Sequence, residues 1–159
     1  MKKYLHALAM CRSMFCAIPC FWRVWDEEAR DEMLLFLPVV GLETGAIWAL
    51  LAWLCRYLAL PALVQGAVLG AYPFVVTGFI HLDGFMDVTD AVRSCRDLAR
   101  RREILKDSRV GSFAVIGVVL LALCQTALFA SAKTAASLWT LVLLPAVSRC
   151  GSALAVTAL

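Results

Sequence analysis

The chain has 159 residues, of which 62% are hydrophobic, and its mean hydropathy is +0.81. Soluble domains have an apolar share of roughly 45–50%, and a core of this size cannot hide the excess, so lipid is the expected solvent. The net charge of +3 is too small to indicate a nucleic-acid-binding surface, and we expect no nucleic-acid partner.

The first part of the chain, residues 1–32, is predicted to lie at the membrane surface. It begins with a short interfacial helix and continues into the acidic stretch DEEARDE, from Asp26 to Glu32. We expect this stretch to be an ordinary solvated turn.

Four apolar stretches follow, each close to the roughly 20 residues that a helix needs to cross a bilayer. They are Met33–Leu54, Ala59–Ile80, Val110–Ala130 and Ala136–Leu159. The pattern predicts an all-α, multi-pass membrane bundle forming a single domain over 1–159, with two spans in 33–80, a helical loop in 81–109 and two spans in 110–159. Because the last span ends with the chain, we expect an N-terminal portion of a longer protein, truncated at its C-terminus.

The basic residues alternate between the two sides of these spans. Five Lys and Arg residues precede the first span, one lies between the first two, seven lie in 81–109, and one, Lys133, lies between the last two. Loops rich in Lys and Arg stay in the cytoplasm. The alternation therefore predicts that the N-terminus and the 81–109 segment face the cytoplasm.

Three carboxylates fall at the boundary between the second span and this loop. Asp83, Asp87 and Asp90 are spaced i, i+4 and i+7, which puts them on one face of a helix. Carboxylates so close repel one another, more strongly beside a membrane, so a positive charge should offset them. Mg²⁺ binds carboxylate oxygens and substrate phosphates at the same time, so the spacing predicts a metal–diphosphate site. His81 reaches this site only if the helix begins there.

The alternative interpretation is a solvated amphipathic helix whose aspartates pair with Arg93, Arg96 and their neighbours. The aspartates lie where an apolar helix meets the membrane boundary, and charge is costly there. This position favours the functional interpretation.

Other charged residues are candidates for phosphate binding. Arginine and lysine suit phosphate oxygens, which makes the basic stretch from Arg100 to Arg109 a candidate phosphate-binding segment, although part of it is an ordinary cytoplasmic anchor. Two charges fall inside predicted spans, and such groups are functional candidates. Arg149 either faces the aspartates as a phosphate ligand or extends to the cytoplasmic side. Glu43 is either a functional group or a neutral buried acid, and the second interpretation is favoured.

Two strings in the loop carry a family resemblance. HLDGFMDVTD (81–90) closely resembles the HLDGLADTADG motif of cobalamin synthases, the adenosylcobinamide-GDP ribazoletransferases, and EILKDSRVG (103–111) resembles that family's EIMKDSRIG. LFLPVVGLETG and AVSRCG are similar to weaker family segments, so the resemblance covers nearly the whole chain. It implies a bacterial inner-membrane enzyme that joins adenosylcobinamide-GDP to alpha-ribazole or its phosphate, releases GMP and needs Mg²⁺.

The resemblance also implies roles for individual residues. Asp83 and Asp87 would be metal ligands, and Asp107 would complete the metal site. Lys106 and Arg109 would hold phosphate charge. Asp90 would be either a further ligand or the base that takes a proton from the ribose hydroxyl. His81 would orient a carboxylate. The expected partners are the two substrates, the bilayer and other enzymes of the cobalamin pathway.

The chain departs from the family pattern at several points. Ala91 stands where the family has a glycine after the third aspartate, a later GGxTGD-like segment is absent, and family members are longer. These departures leave open whether this chain is active by itself.

Two rival interpretations remain. The DxxxD spacing from Asp83 to Asp87 also occurs in membrane prenyltransferases, and CDP-alcohol phosphotransferases have an acidic motif with an Ala-Arg pair where this chain has Phe85-Met86. Alternatively, the chain is a transporter or a scaffold whose loop is a docking surface. A substrate assay separates the first rival, and replacement of Asp83 by Asn separates the second.

Overall fold

The structure, a computed structural model, describes residues 2–20, 22–107, 109–132 and 137–157. Those residues form helices and turns and no strand, which confirms the all-α class. The α-helices are α1 Lys2–Phe15, α2 Leu37–Tyr57, α3 Ala62–Val76, α4 Ile80–Arg93, α5 Leu98–Ile104, α6 Ser112–Ser131 and α7 Leu138–Thr157. Two short 3₁₀ helices, Glu27–Ala29 and Asp31–Phe36, precede α2.

Three helical segments are long and apolar enough to cross a bilayer. They are Asp31–Tyr57, which contains α2, together with α6 and α7. They agree with three of the predicted spans, although the first residue and the last two of Ala136–Leu159, and also Lys133, lie outside the described residues. Most side chains of α6 are exposed despite being apolar, as expected of a helix that faces lipid.

The second predicted span, Ala59–Ile80, differs from the structure. Helix α3 ends at Val76, and α4 leaves it at an angle of 91°. At 15 residues, α3 measures roughly 22 Å, less than the roughly 30 Å of a hydrocarbon core. The break comes from two left-handed residues, Gly78 at φ +61° and Phe79 at φ +64°, so α3 and α4 form a broken span or a re-entrant pair.

Helix α1 is tied to the segments that follow it by polar side-chain pairs. They are Lys3 with Glu32 at 2.7 Å, His6 with Asp26 at 2.6 Å and Arg12 with Glu43 at 2.7 Å. Two predictions are therefore corrected. The acidic stretch is not simply solvated, because α1 supplies partners for both of its ends, and Glu43 is an ion-pair partner rather than an isolated buried acid.

Glycines bring the spanning helices into close contact. Helix α2 lies along α7, and a methyl group added at Gly41 would come within 2.7 Å of the Cα atom of Ala146. One turn further, a methyl at Gly45 would overlap the carbonyl oxygen of Val142. Helix α3 lies along α6 in the same way, because a methyl at Gly66 would overlap the backbone of Thr126. Small residues at this spacing permit close packing of membrane helices.

We expect Gly45→Ala to destabilise the bundle by roughly 1–3 kcal/mol, because the new methyl group collides with rigid backbone of α7. The measurement is the free energy of unfolding in detergent micelles, followed by circular dichroism. Gly151→Ala is the matched control, since nothing lies within 4 Å of its added methyl group. Equal stability of the two variants would contradict the close contact between α2 and α7.

Candidate functional site

The predicted aspartate face lies on α4. This helix runs from Ile80 to Arg93 and carries Asp83, Asp87 and Asp90. It begins directly after the left-handed turn, where the amide of Asp83 donates to the carbonyl of Phe79 at 2.8 Å. Asp83 and Asp87 are exposed and Asp90 is half-buried. The three carboxylates line one pocket, in agreement with their spacing.

The opposite wall of this pocket comes from the chain that joins α5 to α6. Asp107, Arg109 and Gly111 line it, and the pocket holds about 20 Å³, enough for one water-sized species, which needs roughly 10–15 Å³. Gly111 lies directly against Asp90, and a methyl group added to Gly111 would overlap all three atoms of that carboxyl group. Helix α4 and the connection from α5 to α6 therefore meet at Gly111.

Asp107 and Arg109 form an ion pair at the rim of the pocket. The guanidinium of Arg109 donates to both carboxylate oxygens of Asp107, with Nη2 to Oδ2 at 2.8 Å and Nε to Oδ1 at 3.1 Å. The backbone amide of Arg109 also donates to Oδ1, at 3.0 Å. These hydrogen bonds lower the pKa of Asp107 to about 2. Asp107 is therefore ionised at neutral pH, and both of its oxygens are already occupied by Arg109.

The donor set of the pocket suits a hard cation. Carboxylate oxygens are the ligands that Mg²⁺ prefers, and four carboxylates line the pocket. Within the described parts of the chain, no three acidic, histidine or cysteine side chains are drawn together at metal-binding separation. The chemistry of these residues therefore fits a divalent cation, although one of the four carboxylates, that of Asp107, is already paired with Arg109.

Two predicted residues, His81 and Arg149, lie elsewhere. Both line a second, larger cavity of about 280 Å³ between the spanning helices, which shares no lining residue with the aspartate pocket. His81 precedes Asp83 by two residues, so the two side chains leave the helix on opposite sides. Arg149 extends to the N-terminal segment, where it donates to the carbonyl oxygen of Phe15 at 3.3 Å. The expectation that Arg149 faces the aspartates is not met.

Lys106 is exposed and is not among the residues that line the aspartate pocket. Gly111 was missed as a site residue, although it closes the EILKDSRVG string and directly precedes an apolar run. Gln125, which lines the larger cavity, was missed too. A lone amide in an otherwise apolar helix was the signal that could have identified it.

Together the fold and the pocket define a helical membrane protein with a carboxylate-lined site beside a broken helix pair. The family model described as cobalamin-5-phosphate synthase matches residues 7–159. The chain therefore belongs to the cobalamin-5-phosphate synthase family.

Individual relatives carry a consistent name. An adenosylcobinamide-GDP ribazoletransferase from Clostridium perfringens (strain 13 / Type A) is 40% identical over 150 residues, covering 94% of this chain and 60% of the relative. Another from Acetivibrio thermocellus is 33% identical over 151 residues, with coverage of 94% and 60%. One from Thermosynechococcus vestitus is 41% identical over 107 residues, covering 67% and 44%. The chain thus spans about 60% of the longest-matched relatives. No solved structure matches it significantly.

We expect Arg109→Gln to raise the pKa of Asp107 from about 2 towards its ordinary value of 3.8, because Arg109 supplies the main hydrogen bonds to the carboxylate. Because the pKa is lowered, the ion pair contributes its full stabilisation above pH 3.8, and this stabilisation is lost as the pH falls through about 2. The measurement is a carboxyl-carbon NMR titration in micelles. Arg102→Gln, which removes an arginine that is not among the main causes of this pKa shift, should leave the titration nearly unchanged.

Proposed function

We propose that this chain carries the machinery of an adenosylcobinamide-GDP ribazoletransferase. Such an enzyme joins adenosylcobinamide-GDP to alpha-ribazole, or its phosphate, and gives adenosylcobalamin, or its phosphate, and GMP. The observation that carries the proposal is the single pocket formed by three aspartates of α4 and by the Asp107–Arg109 pair. Family membership supports it, because the relatives of this chain bear that name.

The reaction exchanges the phosphoanhydride bond of the diphosphate for a phosphodiester bond. A ribose hydroxyl of the ribazole forms a new P–O bond to the phosphorus on the cobinamide side of the diphosphate. The P–O bond to the GMP phosphate breaks, and GMP leaves with the bonding electrons. The hydroxyl proton needs an acceptor, and Asp90, half-buried against Gly111, is one candidate.

Mg²⁺ is the proposed cofactor, held by Asp83 and Asp87 with Asp90 or Asp107 as further ligands. When bound, it would neutralise the negative charge that develops on the GMP phosphate as the diphosphate is cleaved. Arg109 lies at the rim of the same pocket with its side chain 88% exposed. Its guanidinium is thus accessible to phosphate oxygens from solution, and Lys106, three residues before it, would add to the positive charge.

The proposed orientation places the aspartate pocket at the cytoplasmic face of a bacterial inner membrane. The seven basic residues between the second and third predicted spans support it, since such segments remain in the cytoplasm. With α3 and α4 counted as one broken span, α2, α3–α4, α6 and α7 make four crossings and leave the α4–α6 loop inside. Soluble substrates, and other enzymes of the cobalamin pathway, would reach the site from that side.

We expect Asp83→Asn to lower Mg²⁺-dependent GMP release by roughly 100-fold or more, because a ligand of the charge-neutralising cation is lost. The assay supplies adenosylcobinamide-GDP, alpha-ribazole and Mg²⁺ to purified protein in lipid. Asp31→Asn, which changes an exposed aspartate of the 3₁₀ segment that does not line the pocket, is the matched control and should retain activity. Full activity of Asp83→Asn would overturn the proposal, and prenyl transfer without GMP release would favour the rival enzyme class.

Gly111→Ala tests the contact beneath Asp90. The added methyl group must displace this carboxylate, so the Mg²⁺ concentration for half-maximal activity should rise by roughly 10-fold or more. Gly84→Ala is the matched control on α4 itself, since open space surrounds its added methyl group. A Gly111→Ala variant with an unchanged Mg²⁺ requirement would exclude Asp90 from the metal site.

A further inference from the structure

The larger cavity lies between α2, α3, α6 and α7 and has mainly aromatic and aliphatic walls. Trp48 and Tyr72 line it with their rings stacked 5.8 Å apart at an interplanar angle of 21°. The indole N–H of Trp48 donates to the carbonyl of Leu69 at 3.0 Å, and the hydroxyl of Tyr72 donates to the carbonyl of Thr44 at 2.7 Å. Because the polar atoms of both rings have partners, the rings are fixed in place and contribute apolar surface to the cavity.

Arg149 introduces a positive charge into this apolar setting. Only 7% of the residue is exposed, and it lines the cavity. It donates one hydrogen bond, to the carbonyl of Phe15, and its guanidinium lies 5.5 Å from the centre of the Phe15 ring. Among the residues that the structure describes, no carboxylate pairs with it. A buried cation without an anionic partner is costly, which indicates that an anion completes the site.

Gln125 adds a second unmet requirement to the same cavity. Its side-chain oxygen is buried and has no hydrogen-bond donor within the described part of the chain. A buried acceptor without a donor destabilises the folded protein, and a ligand that donates a hydrogen bond to it removes this cost. The cavity therefore presents three complementary features to a ligand: aromatic rings, a guanidinium and a hydrogen-bond acceptor.

We propose that this cavity binds an aromatic base that carries a ribose phosphate, with the base against Trp48 and Tyr72 and the phosphate on Arg149. The inference rests on the proposed function, in which the acceptor substrate is alpha-ribazole or its phosphate. That phosphate is retained in the product, so the group bound by Arg149 is distinct from the diphosphate that reacts. His81 lines the cavity and Asp83 lines the aspartate pocket, so the first turn of α4 adjoins both sites.

An anionic lipid offers the same phosphate chemistry with a different apolar body. The stacked aromatic pair favours a planar base over acyl chains. Equilibrium dialysis separates these sources, with the protein in nanodiscs of zwitterionic lipid and with alpha-ribazole and alpha-ribazole phosphate as probes. We expect the phosphate form to bind roughly 10- to 100-fold more tightly, because a charge-assisted hydrogen bond forms with Arg149.

Two variants test the site. Arg149→Gln should abolish the preference for the phosphate form, while Arg30→Gln, which removes an exposed arginine that does not line the cavity, should keep it. Ser148→Trp should fill the cavity and weaken both probes, whereas Ser152→Trp, one turn along α7 and outside the lining, should not. Circular dichroism spectra and melting temperatures verify that each variant folds.

The outcomes distinguish this inference from the proposed function. If the unmodified chain binds the probes and Arg149→Gln removes the phosphate preference, the cavity assignment stands whether or not GMP is released. If GMP is released but Arg149→Gln and Ser148→Trp retain unchanged affinity for both probes, the cavity assignment fails alone. Retention of an anionic lipid that the phosphate probe does not displace would also overturn it.

Discussion

Close approach of helix backbones through glycine is the constraint on which the rest of this structure depends. In lipid, burial of apolar side chains gives little net attraction between helices, so packing contacts and hydrogen bonds must hold the bundle together. Gly41 and Gly45 lie four residues apart on α2 and meet α7, while Gly66 and Gly70 repeat the spacing on α3 and meet α6. The packed pairs α2–α7 and α3–α6 thereby set the positions at which the loops next to them begin.

The candidate site inherits its geometry from these contacts. Helix α4 packs against α6, where a methyl group added at Gly117 would lie 2.9 Å from Cγ2 of Thr89. Directly before α6, Gly111 lies against the carboxylate of Asp90. Because α3 and α6 are already held together, the turn at Gly78 and Phe79 sets the direction of α4 and places its aspartates beside the α5–α6 connection.

Local patterns predicted much of this arrangement, and tertiary geometry determined the rest. The apolar lengths identified three spans, and the spacing of Asp83, Asp87 and Asp90 identified their shared helix face. The break after Val76 was missed because the apolar residues on both sides of Thr77 and Gly78 suggest one continuous helix, and the sequence does not indicate that Phe79 is left-handed. The neighbours of Arg149 were also unpredictable, since a position on one helix does not specify which loop lies opposite. The four-residue spacings of Gly41 with Gly45 and of Gly66 with Gly70, in contrast, indicate close helix packing from the sequence alone.

The first turn of α4 lies between Arg149 and the three aspartates, and this separation has a chemical consequence under the proposed function. If Arg149 reached the aspartates, it would form ion pairs with them and compete with a divalent cation for their oxygens. The structure keeps Arg149 with His81 on one side of the first turn of α4 and the three aspartates on the other. The carboxylates therefore remain free to hold a cation while the buried guanidinium remains free to hold an anion. The first turn of α4 can thus adjoin both a cation site and an anion site. The two ligands can come together there, while the carboxylates and the guanidinium do not pair with each other.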